Sequence, residues 1–176
     1  GKYGRALSFN GTSSLVTVND AIALDLTTAM TLEAWVRPFA SASWRSVLLK
    51  ERTSGLAYGL YASNAASRPA GFIRTGADVD ATAPTAIALN AWTHLAASYD
   101  GSAFKLYVNA TQVTSRAVSG SVATSTNPLR LGGNTIWGEY FAGVIDEVRV
   151  YNRALSPAEI QTDMNTPVSA GADTVP

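Results

Sequence analysis

The chain has 176 residues and a formal net charge of zero, from 13 basic and 13 acidic side chains. Its length is typical of a single domain, which at this size buries roughly two-thirds of the surface exposed by the unfolded chain. Charged residues make up 15% of the sequence, against roughly 25% in an average globular protein, so we expect a neutral, hydroxyl-rich surface.

These features exclude several classes of function. No run of Lys or Arg is present to follow a phosphate backbone, so nucleic acid is not an expected partner. The longest apolar runs fall far short of the ~20 residues that cross a bilayer, so a membrane is not expected either. The absence of cysteine excludes disulfides, thiolate metal sites and cysteine nucleophiles.

Alternation of apolar and polar residues, bounded by turn residues, predicts a chain made almost entirely of short strands. The predicted strands cover residues 5–9, 14–18, 30–37, 46–51, 57–62, 70–75, 92–99, 103–108, 111–117, 129–132 and 144–151. The clearest hairpin joins 92–99 to 103–108 through the turn dipeptide Asp100-Gly101. The sequence therefore predicts an all-β fold, a two-sheet antiparallel β-sandwich of the jelly-roll type.

One short helix is predicted near the end of the chain. Ser156 is a suitable N-cap, Pro157 fits the first helical position, and Glu159 completes a capping box. The residues that follow, 165–176, lack periodicity and are rich in proline and small side chains, as linkers are. We therefore expect a β-sandwich domain over 1–164 and a linker-like tail over 165–176, tethered to other domains of a longer protein.

Several segments, taken together, resemble a known family. They are residues 6–11, 15–18, 30–38, 92–101 and 143–156. They are similar to the laminin-G-like jelly-roll family of the concanavalin A-like lectin/glucanase superfamily. The resemblance implies a concanavalin A-like sandwich within a secreted, multi-domain protein. Because such domains serve as carbohydrate-binding modules, adhesion modules and structural appendages, the resemblance does not fix the function.

The resemblance also implies a calcium ion near the junction of the first and penultimate segments. The matching residues are Asn10, Gly11 and Asp146, which offer the oxygen ligands that calcium prefers. Strand alternation predicts that Asp146 faces the core together with Val144 and Val148, where its charge needs compensation. The alternative is that Asp146 accepts backbone N–H groups or pairs with an arginine, and that Asn10-Gly11 is a plain turn.

A polysaccharide or oligosaccharide partner would need exposed aromatic rings and planar polar groups. The best candidate is the glycine-rich loop 132–140, where Trp137 and Tyr140 offer stacking surfaces. The residues predicted to bind the hydroxyl groups or line the site are Asn134, Glu139, Arg74 and Tyr61. Further residues that could share this open face are Trp44, Tyr58, Asp78 and Asp80. The alternative is that Trp137 packs onto the core or a neighbouring loop.

Catalysis is not expected. Glycoside hydrolysis needs two carboxylates about 5–10 Å apart that flank one bond. Asp146 and Glu147 are adjacent and should point to opposite faces of a strand, and Glu33 has no carboxylate two residues away on either side. The single histidine, His94, lies within a predicted strand, where we expect a hydrogen-bonded structural residue.

Mixed charges at alternate positions predict cross-strand pairs on an exposed sheet face. The residues concerned are Glu33, Arg37, Glu147 and Arg149. The predicted function is a non-catalytic carbohydrate-binding module stabilised by calcium. The competing hypothesis is an adhesion or spacer module, which is favoured if Trp137 is buried and no open aromatic face exists.

Overall fold

The structure, a computed structural model, describes residues 1–168. Its strands are β1 Leu7–Asn10, β2 Val16–Val18, β3 Met30–Pro38, β4 Arg45–Arg52, β5 Gly55–Ser63, β6 Ala70–Thr75, β7 Ala77–Thr82, β8 Thr93–Tyr99, β9 Ala103–Val108, β10 Thr111–Ala117, β11 Leu129–Leu131 and β12 Ala142–Tyr151. A short 3-10 helix, Ile22–Leu24, and one α-helix, α1 Pro157–Asn165, complete the described elements. Across residues 1–168, no helix combines the length and the apolarity that crossing a membrane requires.

The strands form two antiparallel six-stranded sheets that pack face to face. Sheet A has the order β1-β12-β3-β8-β9-β10, and sheet B has the order β2-β11-β4-β5-β6-β7. Inner residues of β3, such as Leu32 and Val36, are fully buried against Leu60 and Ile73 of sheet B within one core cluster. Burial of each such side chain contributes about 1.5–3 kcal/mol, so this shared apolar layer is the main source of stability.

The predicted β-sandwich is confirmed, and all eleven predicted strands are present with ends that differ by at most two residues. Strand β7 was not predicted. It contains Asp78 and Asp80, and aspartate is depleted in strands, so its alternation is weak. Val79 and Ala81, which alternate with these aspartates, face the core and hold the strand at the edge of sheet B.

A β-bulge in β12 changes the direction of Asp146. Pairing with β3 is regular up to Asp146, is then interrupted, and resumes at Arg149. Between them Glu147 adopts a left-handed conformation with φ of 52°. Asp146 therefore lies opposite Trp35 on the outer face of sheet A, whereas Val148 packs against the core. The prediction that Val144, Asp146 and Val148 share the core face is wrong. Val144 and Asp146 lie on the outer face, with Ile145 in the core between them, and Val148 faces the core because the bulge breaks the two-residue period.

Helix α1 covers the outer face of sheet A. The predicted capping box is confirmed: Ser156 Oγ accepts from the Glu159 N–H, and the Glu159 carboxylate accepts from the Ser156 N–H. Ile160 is fully buried, and the Trp35 indole Nε1 donates to the Met164 carbonyl at 3.1 Å. One broad face of the sandwich is thereby closed. The predicted linker-like residues 169–176 lie outside the described residues.

Charged and polar side chains are trapped beneath α1. Glu33 pairs with Arg149 across the strands, with 4.0 Å between Oε2 and the guanidinium, and Glu147 lies 3.1 Å from the same group. Of the predicted cross-strand pairs, Glu33–Arg149 forms, whereas Glu147 and Arg149 belong to the same strand. Arg37 donates to the Asn90 carbonyl instead. Glu33 is fully buried, so the prediction of an exposed face is wrong. Within residues 1–168, neither oxygen of Glu33 nor either nitrogen of His94 has a hydrogen-bond partner, which also contradicts a hydrogen-bonded His94.

Candidate aromatic binding cleft

The outer face of sheet B carries an open cleft of about 340 Å³. Its lining residues are Trp44, Leu56, Tyr61, Phe72, Asp78, Trp137 and Glu139. Strands β5, β6 and β7 supply the floor, and the segment 132–141 between β11 and β12, called here the site loop, supplies one wall. Trp137 on this wall is 50% exposed, so a large part of its ring is open to solvent.

Three aromatic rings form the floor of the cleft. The ring centroids of Trp44 and Tyr61 are 5.3 Å apart, those of Trp44 and Phe72 are 5.6 Å apart, and those of Tyr61 and Phe72 are 5.4 Å apart. The two pairs that include Tyr61 are edge-to-face, an arrangement that is favourable beyond burial alone, and the Trp44–Phe72 pair is tilted. The fully buried Leu49 packs below them. The floor is therefore a fixed apolar surface and not a mobile loop.

The first and last residues of the site loop bring its ends together. The Phe141 N–H donates to the Gly132 carbonyl at 2.9 Å, and the Gly132 N–H donates to the Val47 carbonyl at 2.9 Å. Gly132 has φ of 74°, and a Cβ there would lie 2.0 Å from Cε1 of Phe9. Only glycine fits this position, because both the backbone conformation and the space exclude a side chain.

Asn134 holds the site loop from within. Its side chain is fully buried, and its Nδ2 donates to Glu139 Oε2 at 2.8 Å. Its Oδ1 accepts the N–H of Trp137 at 2.9 Å. One amide side chain therefore fixes the positions of both the half-exposed indole and the carboxylate of the cleft.

Glu51 fastens the site loop to sheet B. Its Oε1 accepts from Thr135 N at 2.6 Å and from Thr135 Oγ1 at 2.9 Å, and its Oε2 accepts from Arg130 Nε at 3.1 Å. Arg45 adds a second attachment, because its guanidinium donates to the Tyr140 carbonyl at 2.9 Å. With both ends and its middle held, the loop presents Trp137 in a preorganised position.

Glu139 supplies the polar side of the cleft. The Tyr61 hydroxyl donates to its Oε2 at 2.8 Å, and the Asn134 amide donates to the same oxygen. Oε1 receives no hydrogen bond from the described part of the chain, so it is available to accept one from a ligand. Burial, followed by the Glu139 charge, raises the pKa of Tyr61 well above its usual value, so Tyr61 stays a neutral donor.

The structure brings three of the six predicted ligand-binding residues together, because Trp137, Glu139 and Tyr61 all line the cleft. Asn134 does not line it and positions the loop instead. Tyr140 is half-buried and packs over Gly133, where a Cβ would lie 2.6 Å from Cδ1 of the tyrosine ring. These side chains hold the wall of the cleft and do not form its surface.

Arg74 also stands outside the lining residues. Its guanidinium lies 3.0 Å from the Asp78 carboxylate in a partly exposed cross-strand pair. Asp78 and Trp44, which were named as further candidates, do line the cleft, whereas Tyr58 belongs to the core. Phe72 was not predicted, although the alternation in β6 carries the signal: Ile73 faces the core, so Phe72 must face outward.

The residues predicted to bind calcium do not form one coordination site. Asn10 pairs with Ala142, so Asp146 lies four residues further along β12, about 13 Å away. Asn10 Oδ1 accepts the backbone N–H groups of residues 12–14. The Asp146 carboxylate accepts the N–H of Tyr3 at 3.1 Å and that of its own neighbour at 3.0 Å. Backbone N–H groups thus satisfy the Asn10 carbonyl oxygen and the Asp146 carboxylate without a metal ion.

No cluster of three or more acidic or histidine side chains suited to a metal occurs among residues 1–168. Calcium binding stays a prediction, and it would need ligands other than Asn10, Gly11 and Asp146 acting together.

Comparison with known proteins places this architecture in a family. A laminin G family model, described as the concanavalin A-like lectin/glucanases superfamily, matches residues 10–161. The chain belongs to this superfamily. The match confirms the resemblance found in the sequence, and it covers β2 to β12 and the first five residues of α1 of this laminin-G-like domain.

Two solved structures and one curated protein illustrate the similarity of the laminin-G-like domain to known proteins. Domain 4 of a GH43 extracellular arabinanase from Geobacillus stearothermophilus, in complex with arabinotriose, is 26% identical with a TM-score of 0.78, covering 93% of this chain and 78% of that one. The CBM40 of Ruminococcus gnavus IT-sialidase, bound to α2,3-sialyllactose, is 17% identical with a TM-score of 0.69, covering 90% and 97%. Mouse pappalysin-1 is 39% identical over 80 residues, which is 43% of this chain and 5% of pappalysin-1.

The absence of catalysis stays a prediction for this laminin-G-like domain. Two carboxylates, Asp78 and Glu139, line the cleft, and both were predicted from the sequence as candidates for one open face. The Asp78 carboxylate is 67% exposed and is paired with the Arg74 guanidinium at 3.0 Å.

Proposed function

We propose that this laminin-G-like domain is a non-catalytic carbohydrate-binding module that holds a sugar in the cleft on the outer face of sheet B. The half-exposed ring of Trp137 beside a fixed aromatic floor is the observation that carries this proposal. A large indole that leaves half its surface in water is unfavourable unless a partner covers it. In this proposal the indole stacks on the C–H face of a sugar ring, and Glu139 accepts hydroxyl hydrogen bonds.

The size and shape of the cleft support a ligand of a few sugar rings. A volume of about 340 Å³ lies at the lower end of the range of about 300–1,000 Å³ for small-molecule sites. The cleft combines apolar walls with few polar groups, which is the usual composition of such sites. Similarity to an arabinanase domain crystallised with arabinotriose supports an oligosaccharide as the ligand class.

The biological setting belongs to the same proposal. We infer a secreted, multi-domain protein in which this domain keeps a partner domain close to a polysaccharide. Similarity to a domain of an extracellular arabinanase supports this setting. Calcium is not part of the proposed mechanism, because Asn10, Gly11 and Asp146 do not form one site.

A glycan screen followed by calorimetry of each hit tests the proposal. Trp137→Ala should weaken binding of any hit by roughly tenfold or more, because truncation of a central aromatic contact typically costs about 1.4 kcal/mol or more. Phe39→Ala is the matched control, since Phe39 is 47% exposed and does not line the cleft. The affinity of Phe39→Ala should stay unchanged, and the two variants should unfold at similar temperatures because both rings are about half exposed.

Three results would contradict the proposal. Silence across a broad screen would favour the adhesion or spacer function instead. Equal losses in both variants would place the binding site elsewhere. Release of reducing ends from a bound glycan would show that the cleft is catalytic, with Asp78 and Glu139 as the first residues to replace.

A further inference from the structure

From the charges around the cleft we infer that it selects uncharged sugars and rejects those that carry a carboxylate. This inference rests on the proposed function and specifies its ligand class. Its basis is the sign and the pairing of every charged side chain that lines or adjoins the cleft.

The charged groups that line the cleft are both negative. They are Asp78 and Glu139, and among residues 1–168 no Lys, Arg or His side chain is part of the lining. Sugar hydroxyls donate hydrogen bonds to such carboxylates, and hydrogen bonds to charged groups are stronger than neutral ones. A ligand carboxylate offers acceptors only, so at this surface it meets like charge, and the described lining has no cationic side chain to compensate it.

The arginines that adjoin the cleft are already engaged. Arg74 is bound to Asp78 at 3.0 Å, and Arg45 donates to two backbone carbonyls, those of residues 42 and 140, at 3.1 and 2.9 Å. Arg130 donates to Glu51 at 3.1 Å and also contacts Thr17. To bind an anionic sugar, one of these guanidiniums would have to leave a partner that holds the floor or the site loop.

The experiment compares neutral and acidic glycans that share a backbone. Each pair contains a neutral glycan and its carboxylated counterpart: glucan with glucuronan, galactan with galacturonan, mannan with mannuronan, and lactose with sialyllactose. Affinities are measured by calorimetry at low ionic strength and again at about 0.5 M salt, where charge effects are strongly screened. For every pair that binds, the neutral member should bind roughly tenfold more tightly at low salt, and the difference should shrink at high salt.

Two charge-removing variants locate the origin of the preference. Asp78→Asn removes one carboxylate and frees Arg74, so it should narrow the difference between neutral and acidic members at least severalfold. Glu139→Gln should also narrow the affinity difference between the neutral and acidic members. It should weaken binding of the neutral member as well, because a charged hydrogen-bond acceptor is lost. Asp25→Asn is the control, since Asp25 is exposed and does not line the cleft, and it should leave the preference unchanged.

The outcomes separate this inference from the proposed function. Equal or tighter binding of an acidic member, abolished by Trp137→Ala, would overturn the inference while the carbohydrate site stands. An unchanged preference in Asp78→Asn and Glu139→Gln would overturn it as well. Failure of every pair to bind would contradict the proposed function itself.

Discussion

Glu33 and His94 are two buried side chains that have no hydrogen-bond partner among residues 1–168. Burial, with a smaller contribution from the Asp163 charge, raises the pKa of Glu33 to about 8, although Arg149 opposes the shift. Burial, together with the Arg149 charge, lowers the pKa of His94 to about 4. Both groups are therefore mainly neutral near pH 7, which avoids the large free-energy cost of two buried charges beneath α1.

Replacement of Glu33 by Gln should remove a loss of stability at mildly alkaline pH. The folded-state pKa of Glu33 is raised from 4.5 to about 8. The protonated carboxyl therefore makes its full contribution to the free energy of unfolding below pH 4.5, and this contribution is lost as the pH rises through 8. The pKa of His94 is shifted in the opposite sense, from 6.5 to about 4. The neutral imidazole therefore makes its full contribution to the free energy of unfolding above pH 6.5, and this contribution is lost as the pH falls through 4. Above pH 6.5 only the Glu33 contribution changes. Between pH 6.5 and pH 8 it should lower the free energy of unfolding by about 2 kcal/mol, at about 1.4 kcal/mol per pH unit.

Urea unfolding from about pH 6 to about pH 9 measures this effect. The free energy of unfolding of the wild type should fall across that range, and that of Glu33→Gln should stay nearly level. His94→Asn is the matched control, because it should alter stability on the acid side and keep the wild-type slope between pH 6.5 and 8. A slope in Glu33→Gln equal to that of the wild type would assign the effect to another group.

At the level of elements, the site loop is stabilised by side chains that do not touch a ligand. Asn134 joins Trp137 to Glu139, and Glu51 fastens the loop to the sheet through Thr135. Such residues preorganise the site, so the ordering cost is met on folding and not on binding. Their loss should therefore reduce affinity without removing a contact to the sugar.

Asn134→Ala should loosen the site loop while the sandwich stays folded. The Trp137 N–H would lose its acceptor, so its amide hydrogen exchange should become at least tenfold faster, whereas the Phe141 amide should keep its protection through the Gly132 carbonyl. Stability should fall by about 1–3 kcal/mol, because the Trp137 N–H loses its acceptor and Glu139 keeps only the Tyr61 hydroxyl as a donor. Unchanged exchange at Trp137 would mean that Glu51 and Thr135 alone hold the loop.

The sequence predicts the positions of strands and helices better than it predicts which face of a sheet each side chain points to. Strand positions follow from alternation, and the helix start follows from its cap, so both could be predicted. The face to which Asp146 points could not be predicted, because the bulge at Glu147 has no clear signature in the sequence. The bulge moves each later side chain of β12 to the opposite face of the sheet from the one that strict alternation predicts. The site was predicted in part for the same reason: Trp137 and Glu139 stand out in a glycine-rich loop, whereas Phe72 meets them only through tertiary packing.

For the whole molecule, the two outer faces of the sandwich differ in what they leave accessible. The face of sheet A is closed by α1, with Ile160 fully buried and Trp35 bound to the helix end. The face of sheet B keeps an open aromatic cleft. If the proposed function holds, recognition belongs to the face of sheet B, so changes beneath α1 should affect unfolding more than binding.

The stability of the whole domain should not depend on calcium. A site that is saturated at 100 times its dissociation constant would add about 2.7 kcal/mol, and at this chain length that would raise the melting temperature by roughly 5–10 °C. Asn10, on β1, pairs with Ala142, which lies four residues from Asp146 along β12. Both side chains accept backbone N–H groups, so the Asp146 charge does not depend on a cation for compensation.

Calorimetric melting in millimolar calcium and in chelator should therefore give the same temperature. Asp146→Asn should lower stability by the same amount in both solutions, because the Tyr3 N–H loses a charged acceptor in either case. A calcium-dependent rise that Asp146→Asn abolishes would instead show that Asp146 is a ligand and that its partners come from residues other than Asn10. A rise that persists in Asp146→Asn would place the ion at a different part of the domain, and the cleft variants Asp78→Asn and Glu139→Gln would then be the next to melt with and without calcium.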